Sequence, residues 1–279
     1  MSEHPLCVVF QGEPGAYSHL ACQTLYPSAQ IQACATFVQA LQKVEQGIAD
    51  LAVIPLENTT AGRVEEIYRQ VPKTHLHIIA EHFQPVNHCL MALAGATPSY
   101  VMSHPQALAQ CHDHILEHGL EARAEFDTAG AAQLLAQSGD LHGAAIASEL
   151  AAQLYNLEIV QTHFEDVTGN TTRFLIFARE PSPPVYDATQ KYITSLLFDV
   201  RNIPAALYKA LGGFATNGLN LIKIESYMDG KTLNSSRFHI DVACHLDDPA
   251  MQRAMEELAY FSNTVRWLGT YPAHPFRSL

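Results

Sequence analysis

The stretch Glu180-Pro181-Ser182-Pro183-Pro184-Val185-Tyr186-Asp187 separates two different sequence patterns. Three prolines in four residues remove backbone donors and fix φ, so neither a helix nor a sheet strand runs through it. Residues 180–190 therefore read as an interdomain linker. On its N-terminal side, short apolar runs alternate with helical spacing. The runs predict strands at 6–10, 51–54, 77–80, 88–94, 99–102, 144–147 and 174–178. Helices are expected at 17–25, 37–46, 64–71, 108–117, 129–137 and 150–155. Such alternation implies a largely parallel sheet with helices on both faces. On the C-terminal side the order is strand 192–200, helix 205–216, strand 219–228, a turn at Asp229-Gly230-Lys231, strand 237–244, helix 249–261 and strand 265–271. That βαββαβ order is the ferredoxin-like split unit, an α+β fold.

Composition narrows the function classes. The 279 residues suit two domains, and a hydrophobic fraction of 48% with 16% charged residues is globular. Sixteen Lys and Arg against 28 Asp and Glu leave a formal charge of −12, which disfavours nucleic acid and a polybasic membrane contact. No apolar run approaches the ~20 residues that a bilayer-spanning helix needs. Met1-Ser-Glu-His-Pro-Leu6 has no basic region leading into an apolar core, so no secretory signal is expected. Six scattered cysteines without a CxxC read as free thiols in a reducing cytoplasm. Fifteen histidines show neither HExxH nor another zinc spacing, and no GxSxG is present; no metal or cofactor is expected.

Four segments concentrate small and polar residues at strand–helix junctions. Gln11-Gly12-Glu13-Pro14-Gly15-Ala16-Tyr17-Ser18 follows the first strand and opens a helix, an arrangement whose unpaired N–H groups suit an anion. It is neither a dinucleotide fingerprint nor a Walker A sequence, and an ordinary βα turn gives the same pattern. In Pro55-Leu56-Glu57-Asn58-Thr59-Thr60-Ala61-Gly62-Arg63-Val64, helix capping explains the Asn and Thr residues, whereas Glu57 at a strand's C-terminal end points toward a ligand crevice. Ser103-His104-Pro105-Gln106 starts a helix with Ser103 as the expected N-cap, and Gln110 shares a face with Gln106. In Gly169-Asn170-Thr171-Thr172-Arg173-Phe174, Arg173 is able to form a bidentate pair with a carboxylate, although loop arginines more often make surface ion pairs.

Taken in order, these segments resemble the prephenate dehydratase family. The resemblance rests on Gly12-Glu-Pro-Gly15-Ala-Tyr-Ser18, Glu57-Asn58-Thr59 with Gly62 and Val64, Ser103-His-Pro-Gln106-Ala-Leu with Gln110-Cys111, Asp127-Thr128-Ala129, Ala144-Ala-Ile-Ala-Ser148 and Thr172-Arg173-Phe174. It implies a two-lobe α/β catalytic domain over 1–180, similar to type II periplasmic binding proteins. Lobe 1 would comprise about 1–80 and 161–180, and lobe 2 about 81–160. An ACT regulatory domain would follow over 191–279. With the first strand beginning at Leu6, the monofunctional form is expected.

The implied reaction is decarboxylative dehydration of prephenate to phenylpyruvate in phenylalanine biosynthesis, without cofactor. The resemblance assigns hydroxyl-leaving-group donation to Thr172, with Glu57 as a competing proton source and Asn58 beside them. Arg173 and the helix starts after Gly15 and Gly62 would hold carboxylates. Asn58, Ser103 and Gln110 would orient the ring, with Thr59, Ser148 and Phe174 lining the site. Asn202, Ala205, Ala206, Leu207, Glu225 and Ser226 would form a phenylalanine-binding surface. There the chain departs from the family pattern: Ala205-Ala206-Leu207 stands where Gly-Ala-Leu is usual, and Glu225-Ser226-Tyr227-Met228 where Glu-Ser-Arg-Pro is usual. Asn58-Thr59 replaces Asn-Ser and keeps the hydroxyl. A cytoplasmic homodimer or homotetramer is expected. Two other readings stay open: arogenate dehydratase, and a small-molecule binding protein carrying an ACT module.

Overall fold

Parallel strands paired through helical crossovers build the N-terminal part of the chain. The structure is a computed structural model and describes residues 5–228 and 235–277. It divides into two compact units: Met1–Thr74 with His82–Leu175, and His75–Glu81 with Ile176–Leu279. The proline-rich stretch lies within the second unit.

Most of two sheets lies in the first unit. β1 (Cys7–Gln11), α1 (Tyr17–Leu25), β2 (Gln30–Cys34), α2 (Phe37–Glu45), β3 (Leu51–Asn58), the two-residue β4 (Gly62–Arg63), α3 (Glu65–Tyr68), β5 (His77–Pro85) and, later in the chain, β11 (Thr171–Ala178) form a sheet of order β2-β1-β3-β11-β5. β1 pairs in parallel with both β2 and β3, and β4 folds back antiparallel onto β3. The second sheet has the order β10-β6-β9-β7-β8, from β6 (Cys89–Ala92), β7 (Tyr100–Ser103), β8 (Glu121–Ala124), β9 (Gly143–Ala147) and β10 (Glu158–Gln161). It is mixed: β7 pairs in parallel with β8 and β9, while β6 runs antiparallel to β9 and β10. Both sheets thus carry antiparallel pairs, so the expectation of largely parallel pairing holds only in part.

Local signals explain most helix boundaries. In α2, Phe37, Ala40, Leu41 and Val44 bury one stripe at helical spacing. Thr36 accepts from the Gln39 N–H while the Gln39 side chain accepts from Ala35 N–H, a reciprocal cap. Asp127 caps α6 (Thr128–Ser138), which ends at left-handed Gly139. Ser148 caps α7 (Glu149–Tyr155). The segment expected as one helix at 108–117 is two short helices, α4 (Pro105–Gln110) and α5 (His112–Glu117). Strands β2, β8 and β10 escaped the sequence reading because none contains three successive apolar residues; β8, Glu-Ala-Arg-Ala, is exposed throughout.

In the second unit, β12 (Tyr192–Val200), α8 (Ala206–Thr216), β13 (Leu221–Met228), β14 (Ser235–Val242), α9 (Pro249–Phe261) and β15 (Ser262–Pro272) follow the expected βαββαβ order. Their antiparallel sheet, β13-β14-β12-β15, is ferredoxin-like. Leu196, Phe198 and Ile240 bury one face against Ala210, Phe214, Met251 and Leu258 of the two helices. The opposite face of the strands carries polar side chains: Ser195 donates to Asp241 at 2.5 Å, with His239 beside it. The turn expected at Asp229-Gly230-Lys231 lies outside the described residues.

Candidate functional site

A cleft of about 750 Å³ opens within the first unit, lined from both of its sheets. The volume falls in the usual small-molecule range of roughly 300–1,000 Å³. Gly12, Glu13 and Ala16–Ser18 come from the β1–α1 junction, Asn58 and Ala61–Val64 from the β3–β4 hairpin, and Thr172 and Phe174 from β11. The second sheet contributes His104, Gln106, Ala107 and Gln110 of the α4 region and Phe126–Thr128 before α6.

Strand alternation decides which part of the Thr172-Arg173-Phe174 segment meets the cleft. Successive side chains on a strand point to opposite faces, so Thr172 and Phe174 line it and Arg173 does not. Arg173 is 3% exposed and pairs with Glu57 at 3.5 Å. Glu57 likewise does not line the cleft. Arg173 and Glu57 were expected to hold a substrate carboxylate and to supply a proton; here the two charges pair with each other, and neither is among the residues lining the cleft. Among the described lining residues the arginine is Arg63, which bonds Glu65 and lies over the Tyr68 ring at 4.4 Å.

A directed chain of hydrogen bonds fixes the polar wall. The Asn58 Oδ1 accepts from the backbone N–H groups of Thr60 and Ala61 at 3.0 and 2.8 Å. Those donors cannot reverse, so the Asn58 amide presents Nδ2, which donates to Asn170 Oδ1 at 2.7 Å and Thr172 Oγ1 at 3.0 Å. Asn170, its oxygen occupied, turns Nδ2 to Gln110 Oε1 at 3.2 Å. That same oxygen lies 2.9 Å from His88 Nε2, which must carry the hydrogen. His88 Nδ1 is then an acceptor, and the Tyr17 hydroxyl lies 2.8 Å from it and 2.8 Å from Asn87 O, so its single hydrogen is shared between those two acceptors. Two consequences follow. Thr172 receives a hydrogen bond, so its own hydrogen is left for the cleft. The Gln110 Nε2 atom has no partner and is buried.

Burial pushes the His88 imidazole below its ordinary value, partly opposed by Gln110 and Glu165. Desolvation also holds the Tyr17 phenol well above its usual range. A neutral imidazole is what the chain of bonds requires.

Ser103, Thr59, Gly15 and Ser148 are not among the residues lining the cleft. Ser103 is fully buried and donates to Ile146 O at 2.6 Å, joining β7 to β9. It is not the N-cap: the His104 ring accepts from Gln106 N–H instead. Thr59 accepts from Thr171 N–H at 2.9 Å and lines a neighbouring cavity. Ser148 donates to Gly15 O at 2.5 Å and caps α7, so this pair joins the β1–α1 turn to α7 and neither residue lines the cleft. The anion-binding helix start expected after Gly62 is also corrected. Gly62–Arg63 is a strand, and α3 is one turn long with Glu65 and Glu66 at its start. Gln110 does line the cleft, as expected. Tyr17 and His88 were missed as site residues. Tyr17 sits inside a segment the sequence already singled out, whereas His88 carries no spacing signal.

In the second unit, Ala205 adopts a left-handed conformation (φ 58°) at the start of α8, where glycine is free of strain. Ala206 is buried, Leu207 packs on the core, Asn202 and Ser226 are exposed, and Glu225 lies 3.7 Å from Lys223. Among the described residues no cluster of three or more His, Cys, Asp or Glu is arranged to hold a metal ion, and no helix is long and apolar enough to cross a membrane.

Comparison with known proteins bears on this geometry. The sequence model of the prephenate dehydratase family matches residues 8–182. A bifunctional N-acyl-homoserine lactone acylase/prephenate dehydratase of Komagataeibacter europaeus is 45% identical over 275 residues, 97% of each chain. Arogenate dehydratase/prephenate dehydratase 1 of Arabidopsis thaliana is 38% identical over 282 residues, 95% of this chain and 71% of that one. The solved prephenate dehydratase of Arthrobacter aurescens in complex with L-Phe superposes with a TM-score of 0.87 at 27% identity, covering 96% of this chain and 92% of that one.

Proposed function

The chain belongs to the prephenate dehydratase family and is a dehydratase, a carbon–oxygen lyase, and from that premise we propose that it converts prephenate to phenylpyruvate at the cleft around Thr172. Losing carbon dioxide and hydroxide together makes the ring aromatic, so the protein has mainly to assist departure of the hydroxyl and hold the geometry. The single observation carrying the assignment is the Asn58–Thr172 bond at 3.0 Å. A threonine that already accepts from an amide directs its own O–H into the cleft. Donation to the departing oxygen strengthens as charge develops on it, the form of stabilisation that lowers a barrier rather than merely binding. Asn170, Gln110, His88 and Tyr17 are positioning residues: they keep the Asn58 amide in the required sense. Arg63 and the N–H groups beginning α1 supply the positive potential that a dianionic substrate requires of a chain of charge −12.

Residues 1–180 form the catalytic domain in this reading, and 191–279 an ACT domain that binds phenylalanine near Ala205 and Glu225 and regulates the cleft. The protein works as a homo-oligomer in the cytoplasm. Support for phenylalanine as effector comes from the βαββαβ order and from the relative solved with L-Phe.

A second reading, amide hydrolysis of an N-acyl-homoserine lactone, is favoured by the name of the Komagataeibacter relative. It ranks lower because Thr172 Oγ1 is engaged by the Asn58 amide, a hydrogen donor and not a base. Purified protein incubated separately with prephenate, arogenate and an N-acyl-homoserine lactone tests all the readings. Phenylpyruvate from the first is the expected result. Phenylalanine from the second alone makes it an arogenate dehydratase, and release of homoserine lactone alone overturns the lyase assignment of substrate.

A further inference from the structure

Phe126 combines two properties that do not ordinarily go together. It lines the cleft, and it is 88% exposed. A phenyl ring left in water forgoes the stabilisation that burial of a large apolar side chain provides. Its position is nevertheless fixed from both sides. Glu125 N–H donates to Ser103 O at 2.8 Å, extending the β7–β8 pairing to the residue before it. The residue after it, Asp127, caps α6 through Gly130 N–H at 2.5 Å. The ring is therefore presented at the cleft by ordered backbone rather than carried on a loose loop. The same cavity has apolar wall at Ala16, Val64, Ala107 and Phe174.

We propose that Phe126 is a specificity-determining contact of the cleft, its phenyl lying over the face of the substrate ring and selecting ligands that carry a six-membered ring. The proposal rests on the reading of the cleft as the dehydratase site. Chemistry gives it a direction. The substrate ring carries a carboxylate and a hydroxyl, and the product ring carries neither. A phenyl cover gains contact as the ring becomes aromatic, so its loss weakens binding of the product at least as much as that of the substrate.

The test uses Phe126→Ala, Phe126→Leu and Phe126→Glu in the full-length protein. Phe126→Ala is expected to raise KM for the ring substrate about tenfold, a factor equal to ~1.4 kcal/mol, with kcat kept within about twofold. Phenylpyruvate inhibition weakens by the same factor or more. Phe126→Leu restores most of the loss, and Phe126→Glu is worse than Phe126→Ala because it adds charge opposite a dianion. Melting temperatures of all three stay at the wild-type value, since the side chain is already exposed; that separates contact from structural damage. An unchanged KM in Phe126→Ala, or equal losses in the Leu and Ala variants, overturns the proposal while leaving the dehydratase reading intact. A wild-type protein inactive on both prephenate and arogenate overturns the reading itself, and the Phe126 contact with it.

Discussion

Replacing Asn58 by Asp changes one group from donor to acceptor at nearly constant shape, and the structure says how far the change travels. The contacts to Thr60 and Ala61 N–H survive, because a carboxylate oxygen accepts as well as an amide oxygen. The other oxygen has no hydrogen to give, so it accepts from Thr172 Oγ1 instead of donating to it across the 3.0 Å contact. The threonine hydrogen is withdrawn from the cleft. Loss of one such preorganised donor lowers kcat about 10²–10³-fold, ~2.7–4 kcal/mol. The reversal also propagates. Asn170 must turn its Nδ2 toward the new carboxylate, Gln110 must turn its Nε2 toward Asn170, and His88 Nε2 must become an acceptor. His88 then carries its hydrogen on Nδ1, facing Tyr17. Two measurements check this: steady-state phenylpyruvate formation, and the nitrogen resonances of His88, which distinguish the tautomers. Thr172→Val should reproduce the kinetic loss without the tautomer change, and Thr172→Ser should keep most activity. An Asn58→Asp protein with kcat within threefold of wild type, or with an unaltered His88 tautomer, refutes the directed-chain argument.

Four further outcomes are expected. Gly15 has φ +93°, and a Cβ there meets Ala151 Cα at 2.9 Å, whereas at Gly12, φ +120°, the nearest atom is Ala16 Cβ at 3.6 Å. Gly15→Ala should therefore be destabilised more than Gly12→Ala by about 1–3 kcal/mol in chemical denaturation, the overpacking part of the effect; equal losses would mean α7 yields freely. Burial lowers the folded-state values of both His88 and His19, so the unfolded chain takes up protons first. Stability should be full above the ordinary histidine value of ~6.5 and fall as pH drops below it, and a His88→Gln protein should show a shallower fall. Arg173→Gln removes the buried partner of a pair whose carboxylate, Glu57, is 33% exposed, so the expected signature is a fall in melting temperature with KM near wild type; a raised KM at unchanged stability would make Arg173 a substrate contact. Ala205→Gly relieves a left-handed alanine and should stabilise the protein by up to ~1 kcal/mol in the same denaturation assay.

Local information carried a large share of this molecule. The helices Tyr17–Leu25 and Pro249–Phe261 and the strand Tyr192–Val200 have the bounds their periodicity and neighbouring turns indicate, because burial of one face and capping act within a few residues. The βαββαβ order after the prolines was legible for the same reason. Polar edge strands such as Glu121–Ala124 were not, since pairing with a neighbour, not composition, makes them strands.

The candidate site divides along the same line. Sequence placed Asn58, Gln110, Thr172 and Phe174 together through motif resemblance, and the cleft contains all four. It did not place Glu57 and Arg173 outside the cavity, although a strand's alternation makes neighbours face opposite ways; which face meets the cleft depends on the packing of β3 and β11 in one sheet. The turn donors at Thr60 and Ala61 orient the Asn58 amide locally, but no local pattern reveals the acceptors it meets, which lie 112 and 114 residues away. Short-range periodicity and capping determined the elements and the sense of the Asn58 amide, while the groups that meet it around Thr172 were decided by tertiary structure, because only the fold brings residues so distant in sequence within hydrogen-bond reach.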